Sequence, residues 1–239
     1  MKVPVFSFSE PSSVISPGKI CPIIVSAQHF DTFAASTERL IIPALFGLVP
    51  RWHKGDFREH GFNTVNFRLE NIVDSRMYKP AFNRGRRCVL MCEGFYEWQQ
   101  APLDRSIYFM HLSQPKGVKI EDNSTWTRDS PRLLHIAGIF DVWFDADRNS
   151  LHSFTMISTS SNETLEWLHP RTPAILETPE QIENWLNCTD ISGMEALEFL
   201  TPPKNLEWFE VSPVCILNPG VNGIMCNQRL SWENCSYLK

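Results

Sequence analysis

Over the first two-thirds of the chain, apolar residues gather in short runs bounded by turn-forming residues, which predicts strands rather than amphipathic helices. The run ICPIIVS at 20–26 predicts a short strand, with Pro22 placing it near an edge or bulge. RLIIPALFGLV at 39–49 is apolar, interrupted by Pro43, and leads into Pro50-Arg51-Trp52. GFNTVNFRLENI at 61–72 mixes alternation with polar residues and predicts a strand followed by a turn. RRCVLMCEGFYEW at 86–98 is the clearest strand, and SIYFMHL at 106–112 is a candidate to pair with it. LLHIAGIFDVWF at 133–144 and LHSFTMIST at 151–159 predict two more buried strands, whereas 113–130 is polar and loop-like.

Two helices are signalled late. Thr178 is placed as an N-cap, Pro179 at the first turn and Gln181 to close a capping box, with Ile182, Trp185 and Leu186 on one apolar face. Ser192 and Glu195 repeat the device, with Met194, Leu197 and Leu200 inward and Pro202-Pro203 as the stop. Strands first and helices last predict an α+β fold, a single compact domain with a mostly antiparallel sheet and a few helices. The expected boundaries are a loose N-terminal segment at 1–15, the domain at 16–230 and a C-terminal tail at 231–239.

Composition narrows the function classes. The chain has 239 residues, 43% hydrophobic and 21% charged, which suits an ordinary globular protein. A net charge of −5 excludes a generally basic nucleic-acid coat, so any such site must be a local patch. The seven cysteines form no CxxC framework, and no stretch approaches the roughly 18–20 apolar residues that span a bilayer. A reducing compartment with free thiols is expected. Walker A, GxGxxG, HExxH and GxSxG patterns are absent, and neither cofactor nor metal is expected.

The chemistry-bearing candidates are few. Glu97 sits between Tyr96 and Trp98 after a strongly apolar run. A carboxyl desolvated by aromatics has its pKa raised, which suits a general acid or base near neutrality; a glutamate paired with an arginine, or pointing to solvent at a strand end, is the plainer alternative. His169, in LHPRTPAIL, is predicted on a rigid loop where it could exchange protons, with Arg171 able to fork a phosphate. Between Ser75 and Cys92 there is no acid, while Arg76, Lys79, Arg84, Arg86 and Arg87 all fall inside and Arg68 lies just upstream. That island either neutralises phosphates or is a solvated turn. In FGLVPRW at 46–52, Trp52 on a rigid loop could stack on or part the bases of a single strand, or the whole stretch could be core.

Taken in order, FGLVPRW, NTVNFRLE, SRMYKPAF, GRRCVLMCEGFYEW, AGIFDVW and LHPRTPAIL resemble the SOS-response-associated peptidase (SRAP) family, and its eukaryotic branch in particular, from about Ser16 to about Val214. The resemblance implies a barrel-like, mostly antiparallel sheet. It implies binding of single-stranded DNA at abasic sites, with peptidase- or lyase-type chemistry. In complete members a cysteine at position two closes its amine and thiol on the sugar aldehyde to give a thiazolidine crosslink. By the same resemblance Asn66 orients the reacting groups, Glu97 moves protons at the amine and imine, and His169 acts on ring opening or reversal. Arg68, Arg76 and Arg171 match phosphate contacts and Trp52 the strand wedge. A monomer located in the nucleus is expected.

The chain as written begins Met-Lys-Val where the family begins Met-Cys-Gly-Arg. The family's first strand is therefore expected to be missing, and with it the thiazolidine crosslink; at most the Met1 amine forms a reversible imine. Phe46 stands for the leading Trp of the family WGL motif, and Thr172 for the Met of HxRMP. Two other readings stay open beside a crosslinking enzyme: a non-covalent reader of single-stranded or modified DNA, and a truncated inactive isoform.

Overall fold

The computed structural model describes residues 14–61, 63–100 and 106–211. The ends of the expected 1–15, 16–230 and 231–239 partition lie outside the described residues. Among the described residues ten strands and three short α-helices follow in the order β1 (Ile20–Ser26), β2 (Arg39–Phe46), β3 (Asn66–Arg68), α1 (Lys79–Phe82), β4 (Arg87–Cys92), β5 (Phe95–Trp98), β6 (Ile107–Leu112), β7 (Leu134–Phe144), β8 (Ser150–Ser160), β9 (Arg171–Pro173), α2 (Pro179–Leu186), α3 (Gly193–Leu197) and β10 (Leu206–Val211).

The larger sheet runs β2-β1-β4-β7-β8, and β8 pairs back on β2 at Leu45–Ser153 and Phe46–Phe154, closing a five-stranded barrel. Within the barrel all pairings except that closing one are antiparallel, and β3 and β9 join the same sheet through β8. Closure leaves no free edge along the closing strands, the usual hazard of a short sheet. Pro22 and Pro43, which threatened to break β1 and β2, stand opposite each other in their register. Two missing N–H groups thus fall in one rung, and both strands run through. Alternation then fills the barrel: Cys21, Ile23, Val25, Ala44, Phe46, Cys88, Leu90, Ile136, Phe140 and Phe154 point inward from all five strands.

The outer face is covered by α1, α2 and α3 around Trp185, Phe82 and Ala196. Both predicted capping boxes form, Thr178 with Gln181 and Ser192 with Glu195. Such a cap contributes about 1 kcal/mol, and burying Trp185 and Leu186 adds about 1.5–3 kcal/mol each. Met194, expected inward, is 60% exposed, because α3 is only five residues long and turns Ala196 to the core instead.

The predicted single strand at 86–98 is two strands in different sheets. β4 pairs with β1 and β7, whereas β5 joins β6 and β10 in a separate three-stranded sheet. The corner is Gly94, where a Cβ would lie 2.3 Å from the Met110 carbonyl oxygen and 2.5 Å from the Phe109 ring. Only a residue without a side chain lets the chain pass β6 this closely. β6 does pair with the second half of that run, Phe95 opposite Met110 and Glu97 opposite Tyr108. None of the helices among the described residues is long and apolar enough to cross a membrane.

Candidate functional site

β8 is the spine of the site. Its last residues are flanked by β3, which runs parallel with Asn66 opposite Met156 and Arg68 opposite Ser158, and by β9, antiparallel with Arg171 opposite Ser160. β5 of the small sheet faces them. Together they enclose a cavity of about 890 Å³ lined by Asn66, Arg68, Glu97, His169 and Arg171, along with Tyr78, Ser158 and Trp98. Five of the seven expected site residues therefore meet in one place.

Glu97 is half-buried, and the recess behind it is walled by Phe95, Met110, Leu165 and Leu168. Burial raises its pKa above the ordinary carboxylate value; the His169 ring and the Trp98 backbone N–H, which donates to Glu97 Oε1 at 3.2 Å, pull the other way and do not cancel it. The alternative of a strand-end pair with arginine is not what the fold provides: among the described residues Glu97 makes no ion pair with Arg or Lys. His169 is held at its backbone, where Ser161 Oγ donates to its carbonyl at 2.7 Å and its own N–H reaches Leu165 O at 3.2 Å. Its Nδ1 lies 2.9 Å from the Arg171 carbonyl and 3.1 Å from the Arg171 N–H, so either ring tautomer finds a main-chain partner there. Nε2 is left for other work.

Arg171 forms a two-pronged pair with Glu70, 3.0 Å on each prong, and reaches Ser158 O at 2.5 Å and Ser160 Oγ at 3.3 Å. The Glu70 carboxyl feels burial, which raises its pKa, but its own backbone N–H, Arg171 and Arg68 outweigh that and hold it below the usual value. Arg68 and Arg76 are exposed and make no ion pair among the described residues; Arg68 lines the cavity and Arg76 adjoins its Ser75 wall. Trp52 lies outside the cavity lining on the 47–61 loop, 57% exposed, while its neighbours Phe46, Leu48 and Val49 are core.

The basic island disperses on folding. Arg87 is buried and donates to the carbonyls of Trp185, Asn187 and Ile191. Arg86 and Arg51 both pair with the buried Asp141, and Arg84 caps the Pro80 carbonyl at 2.7 Å. Glu70, Tyr78 and Ser158 were not singled out from sequence; Glu70 had a weak signal, two residues beyond Arg68 in the NFRLE stretch. Among the described residues no group of three or more His, Cys, Asp or Glu is placed to hold a metal ion.

A five-stranded barrel with a satellite sheet, and a cavity between them lined by Glu97, His169, Arg68 and Arg171, define an α+β protein with one cleft where an acid, an imidazole and cations meet. The SOS response associated peptidase (SRAP) family profile matches residues 6–215, and the chain belongs to that family. It is 38% identical over 217 residues to the abasic site processing protein HMCES of Rattus norvegicus, covering 85% of this chain and 61% of that one. It is 29% identical to the abasic site processing protein YoqW of Bacillus subtilis, covering 86% of this chain and 89% of that one. The chain thus spans about 61% of the length of its curated vertebrate relatives. A crystal structure of a protein from Bacteroides thetaiotaomicron shares the fold, with a TM-score of 0.69 at 22% identity over 90% of this chain and 82% of that one.

Proposed function

We propose that this chain recognises abasic sites in single-stranded DNA, and that Glu97 and His169 carry the proton transfers when an amine closes on the exposed sugar aldehyde. The observation behind it is a carboxyl whose pKa burial raises, in the same cavity as an imidazole that, among the described residues, is hydrogen-bonded only at Nδ1. The names of the HMCES and YoqW relatives support abasic sites as the substrate class.

The chemistry balances with these two groups. An amine adds to the aldehyde carbon to give a carbinolamine. Neutral Glu97 gives its proton to the departing hydroxyl, which leaves as water, and the resulting Glu97 carboxylate takes the nitrogen's proton as the imine forms. His169 suits the other proton exchange, at the ring oxygen when the closed sugar opens. Asn66, on the rim, is assigned to orienting the sugar by hydrogen bonds. Arg68 and Arg76 hold phosphates on either side, and Trp52 stacks on a base farther along the strand. Arg171, the third cation expected at phosphate, spends its terminal N–H groups on Glu70, Ser158 and Ser160 and is assigned to holding the cleft together. The proposed setting is the nucleus, with the protein acting as a monomer.

Incubation with a single-stranded oligonucleotide carrying one abasic site, followed by a denaturing gel with and without borohydride, tests this. A borohydride-dependent adduct marks an amine acting alone, and an adduct stable without reductant marks an amine with a neighbouring thiol; both support the proposal. Salt-sensitive binding with no adduct of either kind replaces it with a non-covalent DNA reader.

A further inference from the structure

Arg171 is oddly placed for a residue whose only task is to grip DNA. A guanidinium has five N–H groups. Here Nη1 serves Glu70 Oε1 and Ser160 Oγ, Nη2 serves Glu70 Oε2 and the Ser158 carbonyl, and the Nε–H is buried without a partner. The side chain therefore leaves β9, crosses β8 at Ser158 and Ser160, and ends on the 3-10 turn Leu69–Asn71 that follows β3. Those three elements carry the walls of the cavity: Asn66 and Arg68 on β3, Ser158 on β8, and His169 two residues before Arg171. The main chain of Arg171 is also what His169 Nδ1 rests on.

We propose that Glu70 is a positioning residue: its two-pronged pair with Arg171 clasps β3 to β9 across β8, and so fixes both the width of the cleft and the orientation of the His169 ring. Its effect on DNA chemistry rests on the function proposed above, whereas the clasp itself does not. Glu70 is itself outside the cavity lining, so it acts through Arg171 rather than on the substrate. The charged groups around the His169 ring are Glu97 from β5 and Arg171 from β9, with Arg68 from β3 beside Glu70. Removing Glu70 takes away the one carboxylate that, among the described residues, pairs with Arg171. A freed guanidinium swings, and the loop from His169 to Arg171 loosens with it.

The test uses full-length Glu70→Ala and Glu70→Asp variants. The first measurement is nitrogen-resolved NMR of the His169 ring without DNA, with His169→Asn identifying its signals. In the Ala variant the Nδ1 signal should shift and broaden as the ring loses its contacts with the Arg171 main chain, and Asp, which keeps the charge on a shorter arm, should restore part of it. The second is the rate of borohydride-trapped adduct at saturating abasic oligonucleotide. It should fall about tenfold or more in Glu70→Ala, as small misplacements of a catalytic group do, with half-saturation little changed. Unchanged His169 signals in a folded Glu70→Ala protein overturn the proposal. So does a loss confined to half-saturation, which would make Glu70 a binding residue. If Glu70→Ala does not fold, the Asp variant decides on the same two readouts. If the wild-type chain yields no adduct, the proposed function fails while the NMR result still decides the clasp.

Discussion

Glu97 and His169 reach one cavity from different sheets, Glu97 on β5 of the small sheet and His169 on the segment entering β9 at the side of the barrel. Burial against its apolar back wall raises the pKa of the acid more than the imidazole lowers it. Its neutral form therefore persists above the ordinary carboxylate range. The adduct rate should fall as pH rises through the Glu97 titration, because the departing hydroxyl loses its acid. Glu97→Gln should cut the rate by about 10²–10⁴-fold and remove that limb of the profile. Folding stability carries the same sign: what neutral Glu97 contributes is present at low pH and lost as pH rises through its folded pKa, and that loss should appear in the difference between wild type and Glu97→Gln. A Gln variant with the wild-type pH profile would end Glu97's role.

Arg68, which lines the cavity, and Arg76, beside its Ser75 wall, make no ion pair among the described residues, so each is expected to displace counterions from one phosphate. Arg68→Ala and Arg76→Ala should each reduce the slope of log affinity against log salt by about 0.7 for a single strand, measured by fluorescence anisotropy with a short oligonucleotide. Arg84→Ala is the control. Its guanidinium is spent on the Pro80 carbonyl and should leave the slope nearly as it was. A larger effect from Arg84 than from Arg68 would relocate the DNA track.

What could be read from sequence divides along physical lines. The strands at 20–26, 133–144 and 151–159 show themselves because each buries apolar residues locally, and both capping boxes do because a cap involves residues three apart. The break inside 86–98 does not, since Gly94 interrupts no apolar run and its need arises from β6, which comes later in the chain. β9, at three residues, carries too little pattern to mark a strand. Glu97 and His169 were legible as an acid among aromatics and an imidazole in a proline-bracketed loop. The Glu70–Arg171 clasp was not, because it joins residues 101 positions apart. The basic island shows the converse hazard: five neighbouring cations read as a patch, yet the strand start at Arg87 points one inward and Asp141 draws Arg86 away from solvent.

Arg87 makes that last point testable. Its side chain is 1% exposed, with its guanidinium centre 5.7 Å from the Trp185 ring and Nη2 at 2.5 Å and 2.9 Å from the Asn187 and Ile191 carbonyls. It stops the C-terminal end of α2 by satisfying carbonyls that no backbone N–H reaches. Arg87→Met leaves three of them unpaired and should cost about 3 kcal/mol or more in urea unfolding. DNA binding at low temperature should survive, since Arg87 faces away from the cleft. Loss of binding without loss of stability would return Arg87 to the DNA track.

His29 supplies the acid-side counterpart. It follows β1, packs edge-on against Phe140 at 5.2 Å, and its Nε2 is buried without a partner. Burial, and then the positive charge of Arg86, lower its pKa from 6.5 to about 4, with the Gly85 backbone opposing. A depressed imidazole stabilises the fold fully above about 6.5, where neither state binds the proton. That contribution fades as pH falls toward about 4, because the unfolded chain takes the proton first. Allowing for the ring's partial exposure, wild type should lose on the order of 1 kcal/mol more than His29→Gln between pH 7 and pH 4.5. His60, His135 and His152 are lowered too, so the difference between the two proteins, rather than the wild-type curve, isolates His29. Parallel denaturation curves for the two at both pH values would place the acid sensitivity of the fold elsewhere.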